Sequence, residues 1–287
     1  MDSQSLKAFV AVAETGSFSI GAEKLHLTQS AASKRISQLE SQLDTRLFDR
    51  IARQVTLTEA GRELLPRARR ILQELTEARR AIRDLSGEIA GPLRLCISHH
   101  LGLHRLPPVL KSFSQKYSKV ELDVDFMDSE KAYEAILRGE FEVGVITLAL
   151  NENPKIESLR IWDDPLVFVC AKDHTLAHNT NITVKTLSRY PAILPGLSTY
   201  TGRILKEFFE KEGVALKSPM STNYLETIRM MVSVGLGWSV LPATLCEELH
   251  QMKVPVPFVQ RQLGYIHHRE KSLSNAARAF IEHIARA

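Results

Sequence analysis

FSIGAEKLHLTQSAASKRISQLESQLDTRLFDR, residues 18–50, reads as two short helices around a tight break, followed by a basic turn. Leu25 and Leu27 bracket the break. In the second helix Ala32, Ile36, Leu39 and Leu43 recur at helical spacing and form an apolar stripe. Gln29, Ser30, Ser33, Lys34 and Ser37 gather on the other side, with no acid between Gln29 and Gln38. Small polar side chains allow close approach to a major groove, where Gln, Ser and Lys bond base edges or phosphates. An ordinary amphipathic helix with a solvated face reads the same way, so the surroundings must decide.

Upstream, Leu6, Phe9, Val10 and Ala13 mark a first helix, closed by Gly16. Ser17 and Thr28 stand where N-caps of the next two helices belong. Downstream, Leu47–Arg50 and Val55–Thr58 read as two short strands with Ile51 to Gln54 as the turn. That hairpin puts Arg50 and Arg53 near its tip, where an arginine reaches phosphates or a minor groove. A hairpin after a helix pair is a winged arrangement. From Thr58 to about Leu85 a single long helix is expected. Ala60, Leu64, Ala68, Ile71, Leu75, Ala78, Ile82 and Leu85 alternate by four and three, a coiled-coil seam that a partner chain would bury. Pro66 removes one backbone bond within it and is expected to bend it.

The charge is placed to match. The whole chain, 287 residues, carries only +4, but Lys24 to Arg70 holds ten bases against five acids. A local basic footprint beside a helix pair is a nucleic-acid signal. The length allows two or three domains, and 44% hydrophobic with 24% charged residues fits a globular protein. Cys96, Cys170 and Cys246 lie far apart, without metal-site spacing, so reduced thiols are expected rather than disulfides or a zinc module. No signal peptide or membrane-length apolar run is read, and the expectation is a cytoplasmic protein without membrane contact.

Ser86-Gly87 and Ala90-Gly91-Pro92 end the long helix. Strands are then expected at Leu93–Ile97, Val120–Phe126, Phe141–Thr147, Pro165–Ala171 and Trp238–Leu241. Helices are expected at Leu106–Lys116, Lys131–Arg138, from Thr201 through Phe209, at Leu225–Val234 and at Asn275–Ala285. Such alternation implies α/β architecture with mostly parallel sheets.

At this point the chain resembles the LysR-type transcriptional regulators of bacteria. The block Phe18-Ser19, Ala22, Leu25-His26-Leu27-Thr28-Gln29-Ser30-Ala31, Ser33, Ile36, Leu39-Glu40, Leu43, Leu47-Phe48, Arg50 and Leu57-Thr58-Glu59-Ala60-Gly61 carries the resemblance. Gly91-Pro92-Leu93-Arg94 and Gly235-Leu236-Gly237-Trp238-Ser239-Val240-Leu241-Pro242 extend it more weakly over the rest. The resemblance implies a winged helix-turn-helix over residues 1–58, a dimerisation helix over 59–90 and an effector-binding domain over 91–287. That last part would be two lobes like those of periplasmic binding proteins, about 91–161 with 264–287, and about 162–263, joined by two crossing strands.

The implied partners are double-stranded DNA bearing a partly palindromic operator, a small-molecule effector, further copies of the chain as homodimer or homotetramer, and RNA polymerase. Carried over by position, Gln29, Ser30, Ser33 and Lys34 are the groove contacts, and Arg50 and Arg53 the wing contacts. Many relatives have Pro in place of Ser30 and Val or Leu in place of Ala32, differences that would shift operator preference.

Effector contacts are expected at strand ends and helix starts. Ser98, His99 and His100 follow the first strand of this part, Thr147 ends another, and Ser198 and Thr199 lead into a helix. Hydroxyls beside helix N-termini suit an anion, although capping is their commoner task. His99, His100 and His104 cluster, and His267-His268 are expected near the lobe crossing. Their spacing matches no metal-site pattern and no cysteine or carboxylate cluster accompanies them, so an anion-binding or purely structural role is expected and no metal or cofactor; His99 or His100 would help neutralise an anionic effector. No nucleophile–base–orienter set supports catalysis. A solute-binding protein with an oligomerisation module, or redox sensing through the cysteines, are the alternatives.

Overall fold

The structure, a computed structural model, describes all residues except 52, 53, 152, 215–217, 258 and 287, and leaves undescribed the side chains of 50, 51 and 54. The chain divides into two compact units, Met1–Ser86 and Gly87–Ala287.

The first unit opens with α1 (Ser3–Thr15), α2 (Phe18–Glu23) and α3 (Gln29–Leu43). Each start is capped: Asp2 accepts from Gln4 and Ser5, Ser17 from Ile20 and Thr28 from Ala31. These bonds satisfy amides that a helix's first turn leaves open. Gly16 closes α1 in the left-handed conformation, and His26 takes φ 52° in the break before α3. Leu6, Phe9, Val12, Phe18, Ile36 and Leu39 form one core with Leu47 and Phe48. Leu43, the last residue of the expected stripe, is instead exposed, because α3 outruns that core by a turn.

The hairpin consists of β1 (Phe48–Ile51) and β2 (Gln54–Leu57), paired from Phe48↔Leu57 to Ile51↔Gln54. Ile51 and Gln54, expected in the turn, are instead the last pair of the ladder. The Glu40 carboxylate fixes its base by accepting from the Leu47 and Phe48 amides at 2.8 and 3.4 Å. Next comes α4 (Glu59–Asp84), capped by Thr58 and continuing through Pro66. Thr58 also donates its hydroxyl to the Arg46 carbonyl at 2.7 Å, tying helix to hairpin. Gly61 lets the two backbones meet: a Cβ there would lie 2.2 Å from the Leu47 carbonyl oxygen.

The second unit contains β3 (Gly91–Ser98), α5 (His99–His104), α6 (Leu106–Lys116), β4 (Val120–Met127), α7 (Ser129–Leu137), β5 (Val143–Thr147) and β6 (Ile156–Cys170). It continues with α8 (Val184–Leu187), β7 (Ile193–Leu194), α9 (Tyr200–Lys211), β8 (Met220–Ser221), α10 (Leu225–Ser233), β9 (Ser239–Pro242), β10 (His250–Gln251), β11 (Gln260–His268) and α11 (Asn275–Ile284). The main sheet runs β10-β6-β11-β5-β3-β4, with β9 also on β6. Only β3 with β4 and β3 with β5 are parallel in it, and the other pairings are antiparallel. The expected mostly parallel sheet gives way to a mixed one because two long strands, β6 and β11, run against each other between two lobes. The expected strand Pro165–Ala171 is only the second half of β6.

In the first lobe Leu93, Leu95 and Ile97 pack on α6 and α11 through Phe113 and Phe280, while Cys96 faces α7 through Ala132. That alternation is the pleat of a strand buried on both faces. The second lobe repeats the arrangement: Phe168 meets Trp238 and Phe209, and Val169 meets Ile228 and Val232 of α10. Where the strands pass from one lobe to the other, the β6–β11 register shifts between Leu263 and Gly264.

Candidate functional sites: a nucleic-acid interface and an interlobe cleft

Helix α3 buries Ala32, Ile36 and Leu39 and turns Gln29, Ser30, Lys34 and Ser37 to solvent, with Ser33 half-buried beside them. Thr28 and Ser30 hydroxyls lie 3.1 Å apart at its start. Arg35 donates to Gln4, so that cation is held toward α1. Gln29, Ser33 and Lys34 thus share one continuous polar surface at the N-terminal half of α3. Arg50 belongs to β1, its side chain outside the described residues, and Arg53 lies outside them altogether. On α4 Ala68 is buried, while Ile71, Leu75, Ile82 and Leu85 of the seam are exposed, Leu85 at 86%. Among the described residues of this unit, nothing covers the last turns of the seam.

Between the lobes of the second unit lies a narrow cleft of about 50 Å³, lined by residues from both. Ser98, His99, His100, Thr147 and Thr199 all line it. Ser198 does not: it is exposed on the turn before α9, one residue too early to face inward. Thr199 Oγ1 is engaged by its own chain, donating to the Gly196 carbonyl at 2.7 Å and accepting from the Gly202 amide at 2.9 Å. His99 packs its ring against Tyr224, centroids 4.9 Å apart.

Arg261 also lines the cleft, and neither it nor its partner Asp164 is revealed by sequence spacing. Arg261 on β11 and Asp164 on β6 are direct cross-strand partners, and both side chains are buried. Arg261 Nε donates to Asp164 Oδ2 at 2.6 Å, and its Nη1 donates to Thr201 at 3.1 Å. Its Nη2 is buried with no hydrogen-bond partner among the described residues, as are Ser98 Oγ and both ring nitrogens of His100.

Three acids reach across from one lobe to the other. Glu130 accepts the Tyr200 amide at the start of α9, Asp128 accepts from Asn223 at 3.2 Å, and Glu226 accepts from His104 at 2.8 Å. His100 Nδ1 stands 3.7 Å from the same Glu226 oxygen, an electrostatic contact longer than a hydrogen bond. Burial works to raise the Glu226 pKa, but contacts from His100, its own backbone and His104 prevail and hold it down at about 2. Burial also pushes His100 below its ordinary value, favouring the neutral ring. No carboxylate cluster accompanies the histidines in sequence, but the fold brings one carboxylate to them: His100, His104 and Glu226 have ligand atoms within 4.8 Å of one another. Glu226 is 122 residues from His104, too far in sequence to show as a pattern.

Buried thiols complete the inventory. Burial raises Cys96 and Cys246 to about 12 and Cys170 to about 11, so all three are protonated at neutral pH.

Comparison with known proteins decides the family. Residues 3–62 match the bacterial regulatory helix-turn-helix protein model of the lysR family, and residues 86–287 match the LysR substrate binding domain. The chain belongs to the LysR family of transcriptional regulators. Members regulate transcription by binding DNA and are not enzymes. The RuBisCO operon transcriptional regulator of Allochromatium vinosum is 30% identical over 97% of this chain and 94% of its own. A regulator in the ibpB-leuC intergenic region of Azotobacter vinelandii, whose function is uncharacterized, is 65% identical over 108 residues, 38% of this chain and 75% of that one. Among solved structures, full-length CbnR complexed with its target DNA superposes with a TM-score of 0.72 at 22% identity, covering 100% of this chain and 99% of that one. This last likeness concerns the fold. No described helix of the LysR-type chain is long and apolar enough to cross a membrane.

Proposed function

We propose that this LysR-type regulator reads a partly palindromic operator as a homodimer or homotetramer in the cytoplasm, and that a small anionic effector in the interlobe cleft modulates it. Residues 1–58 are the reader, 59–90 the dimerisation helix and 91–287 the effector domain. Gln29, Ser30, Ser33 and Lys34 enter the major groove, with Arg50 and Arg53 on the wing. The uncovered stripe of α4 supports pairing, since two readers on one face of DNA need a spacer that holds them a helical turn or more apart. Contact with RNA polymerase follows from the regulatory task.

The observation that carries the anionic reading is the unpartnered Nη2 of buried Arg261 in the cleft wall. The cleft's carboxylates are already answered: Glu130 by an amide, Asp128 by Asn223 and Glu226 by His104. Among the described residues, the unanswered groups of the lining are Arg261 Nη2, the Ser98 hydroxyl and the His100 ring nitrogens. A fixed guanidinium with a free edge recognises a carboxylate or oxyanion. Thr147, His99, His100 and Thr199 complete the wall, and the narrow cleft limits the group it takes to a few heavy atoms. Ser198 is left out of this set.

Thermal unfolding of the full chain with a panel of small carboxylates and oxyanions, in the presence of a chelator, tests it. At least one anion is expected to raise the midpoint and to change operator affinity, and Ser98→Ala and His100→Ala are expected to weaken its effect. A panel in which only neutral or cationic metabolites act overturns the anionic reading.

A further inference from the structure

We infer that His100, His104 and Glu226 form a binding site for a divalent transition-metal ion of the zinc, nickel or cobalt class, bridging the two lobes. The inference stands on the ligand set and does not depend on the anionic effector. His100 and His104 are four residues apart on α5, so both rings leave one face of the helix. Glu226, from the second residue of α10, meets them from the opposite lobe. Two imidazoles and a carboxylate, with positions left for solvent or a further ligand, suit ions of this class and not magnesium or calcium, which want oxygen alone.

The spacing is near what such an ion needs. Bonds of about 2.0–2.2 Å to nitrogen and oxygen place ligand atoms roughly 3.3–3.6 Å apart in a tetrahedral site. Here the Glu226 oxygen lies 2.8 Å from His104 Nε2 and 3.7 Å from His100 Nδ1, and the whole set is within 4.8 Å. Side-chain shifts of about an ångström close the difference, and rotamer adjustment supplies those.

A second observation points the same way. His100 is 6% exposed, yet neither ring nitrogen has a hydrogen-bond partner among the described residues. Buried polar atoms are almost always satisfied, and an orphan in a native chain calls for a water, a ligand or an ion. Its Nδ1 stands 3.7 Å from Glu226, and the ring lies tilted at 42° to that of His104, centroids 4.8 Å apart, where a metal would bond its lone pair. Because the ligands come from both lobes, the ion binds the closed cleft better than an open one and shifts the population toward it.

Isothermal titration of the metal-free full chain with zinc chloride tests the site. One high-affinity zinc per chain is expected. His104→Ala and the isosteric Glu226→Gln should each weaken it at least about tenfold, while exposed His178→Ala, far along the chain, leaves it unchanged. X-ray absorption of the loaded protein should show nitrogen and oxygen neighbours only. Absence of stoichiometric zinc uptake, wild-type affinity in both ligand variants with their folding verified by circular dichroism, or sulfur in the zinc shell would each overturn the site. Ser98→Ala bears on the anion alone, so the two readings fail separately.

Discussion

The polar faces of the two units are built in opposite ways. On α3 Gln29, Ser30 and Lys34 are exposed and spread over one helical surface, ready for an external partner. In the cleft the polar groups are drawn from β3, α5, α7, α9, α10 and β11, and most are engaged with each other before any ligand arrives. A reader of a long polyanion gains from open, flexible donors whose water is easily exchanged. A pocket for a small molecule must hold its donors still, so the chain pairs most of them and leaves a few free. The comparison says where a substitution should hit stability and where it should hit binding alone.

The largest effect is expected at Asp164→Asn. It leaves the buried Arg261 charge without its carboxylate, a loss of about 3–5 kcal/mol. For a unit of this size that lowers the unfolding midpoint by about 10 °C. Differential scanning fluorimetry reads it, and an unchanged midpoint would mean the pair is not a buried structural charge. Next comes Lys34→Glu, or Ser33→Glu. Either puts an acid against DNA phosphates from a surface that carries no core, so operator affinity should fall about 100-fold or more with no change in midpoint. Binding that survives in a gel-shift assay would remove α3 from the groove.

A smaller pair sharpens the contrast. Thr28→Ala and Thr199→Ala each remove a cap and should each cost about 1 kcal/mol of stability. If Thr199 acts only as a cap, Thr199→Ser restores both stability and effector response. If its methyl also touches the effector, stability returns and response does not. The smallest effect concerns the thiols. Cys96, Cys170 and Cys246 are buried and protonated, so an alkylating reagent at pH 7 should label them only after denaturation. Rapid labelling of the native chain would revive redox sensing.

What could be read from sequence follows the same division. The first unit is local: caps, apolar period and hairpin lie within a few residues of one another, and Ser17, Thr28 and Gly16 do what their types suggest. Leu43 misled because a stripe says which face is apolar, not how far the partner extends. In the second unit β3 and β4 were legible from alternation, but β11 was not. Gln260, Arg261 and Gln262, like Asp163 and Asp164 opposite, lack the apolar alternation that marks a strand. Gln260, Gln262 and Asp163 are exposed, whereas Arg261 and Asp164 are buried and satisfy each other across the strands. Arg261 and Glu226 had no local signal at all, since each acquires its meaning from a partner about a hundred residues away.

One contact sets the terms on which the cleft trades. The Glu130 carboxylate already occupies the Tyr200 amide at the head of α9. An incoming acid that takes this amide evicts an intramolecular competitor tethered at high effective concentration, so the exchange itself is nearly neutral. For the anionic effector proposed above, recognition would then rest on what Glu130 cannot offer: reach to Arg261 and Ser98, and the shape of whatever the acid carries. On that reading Glu130 is a tethered competitor that an acid must outdo with more than its carboxylate.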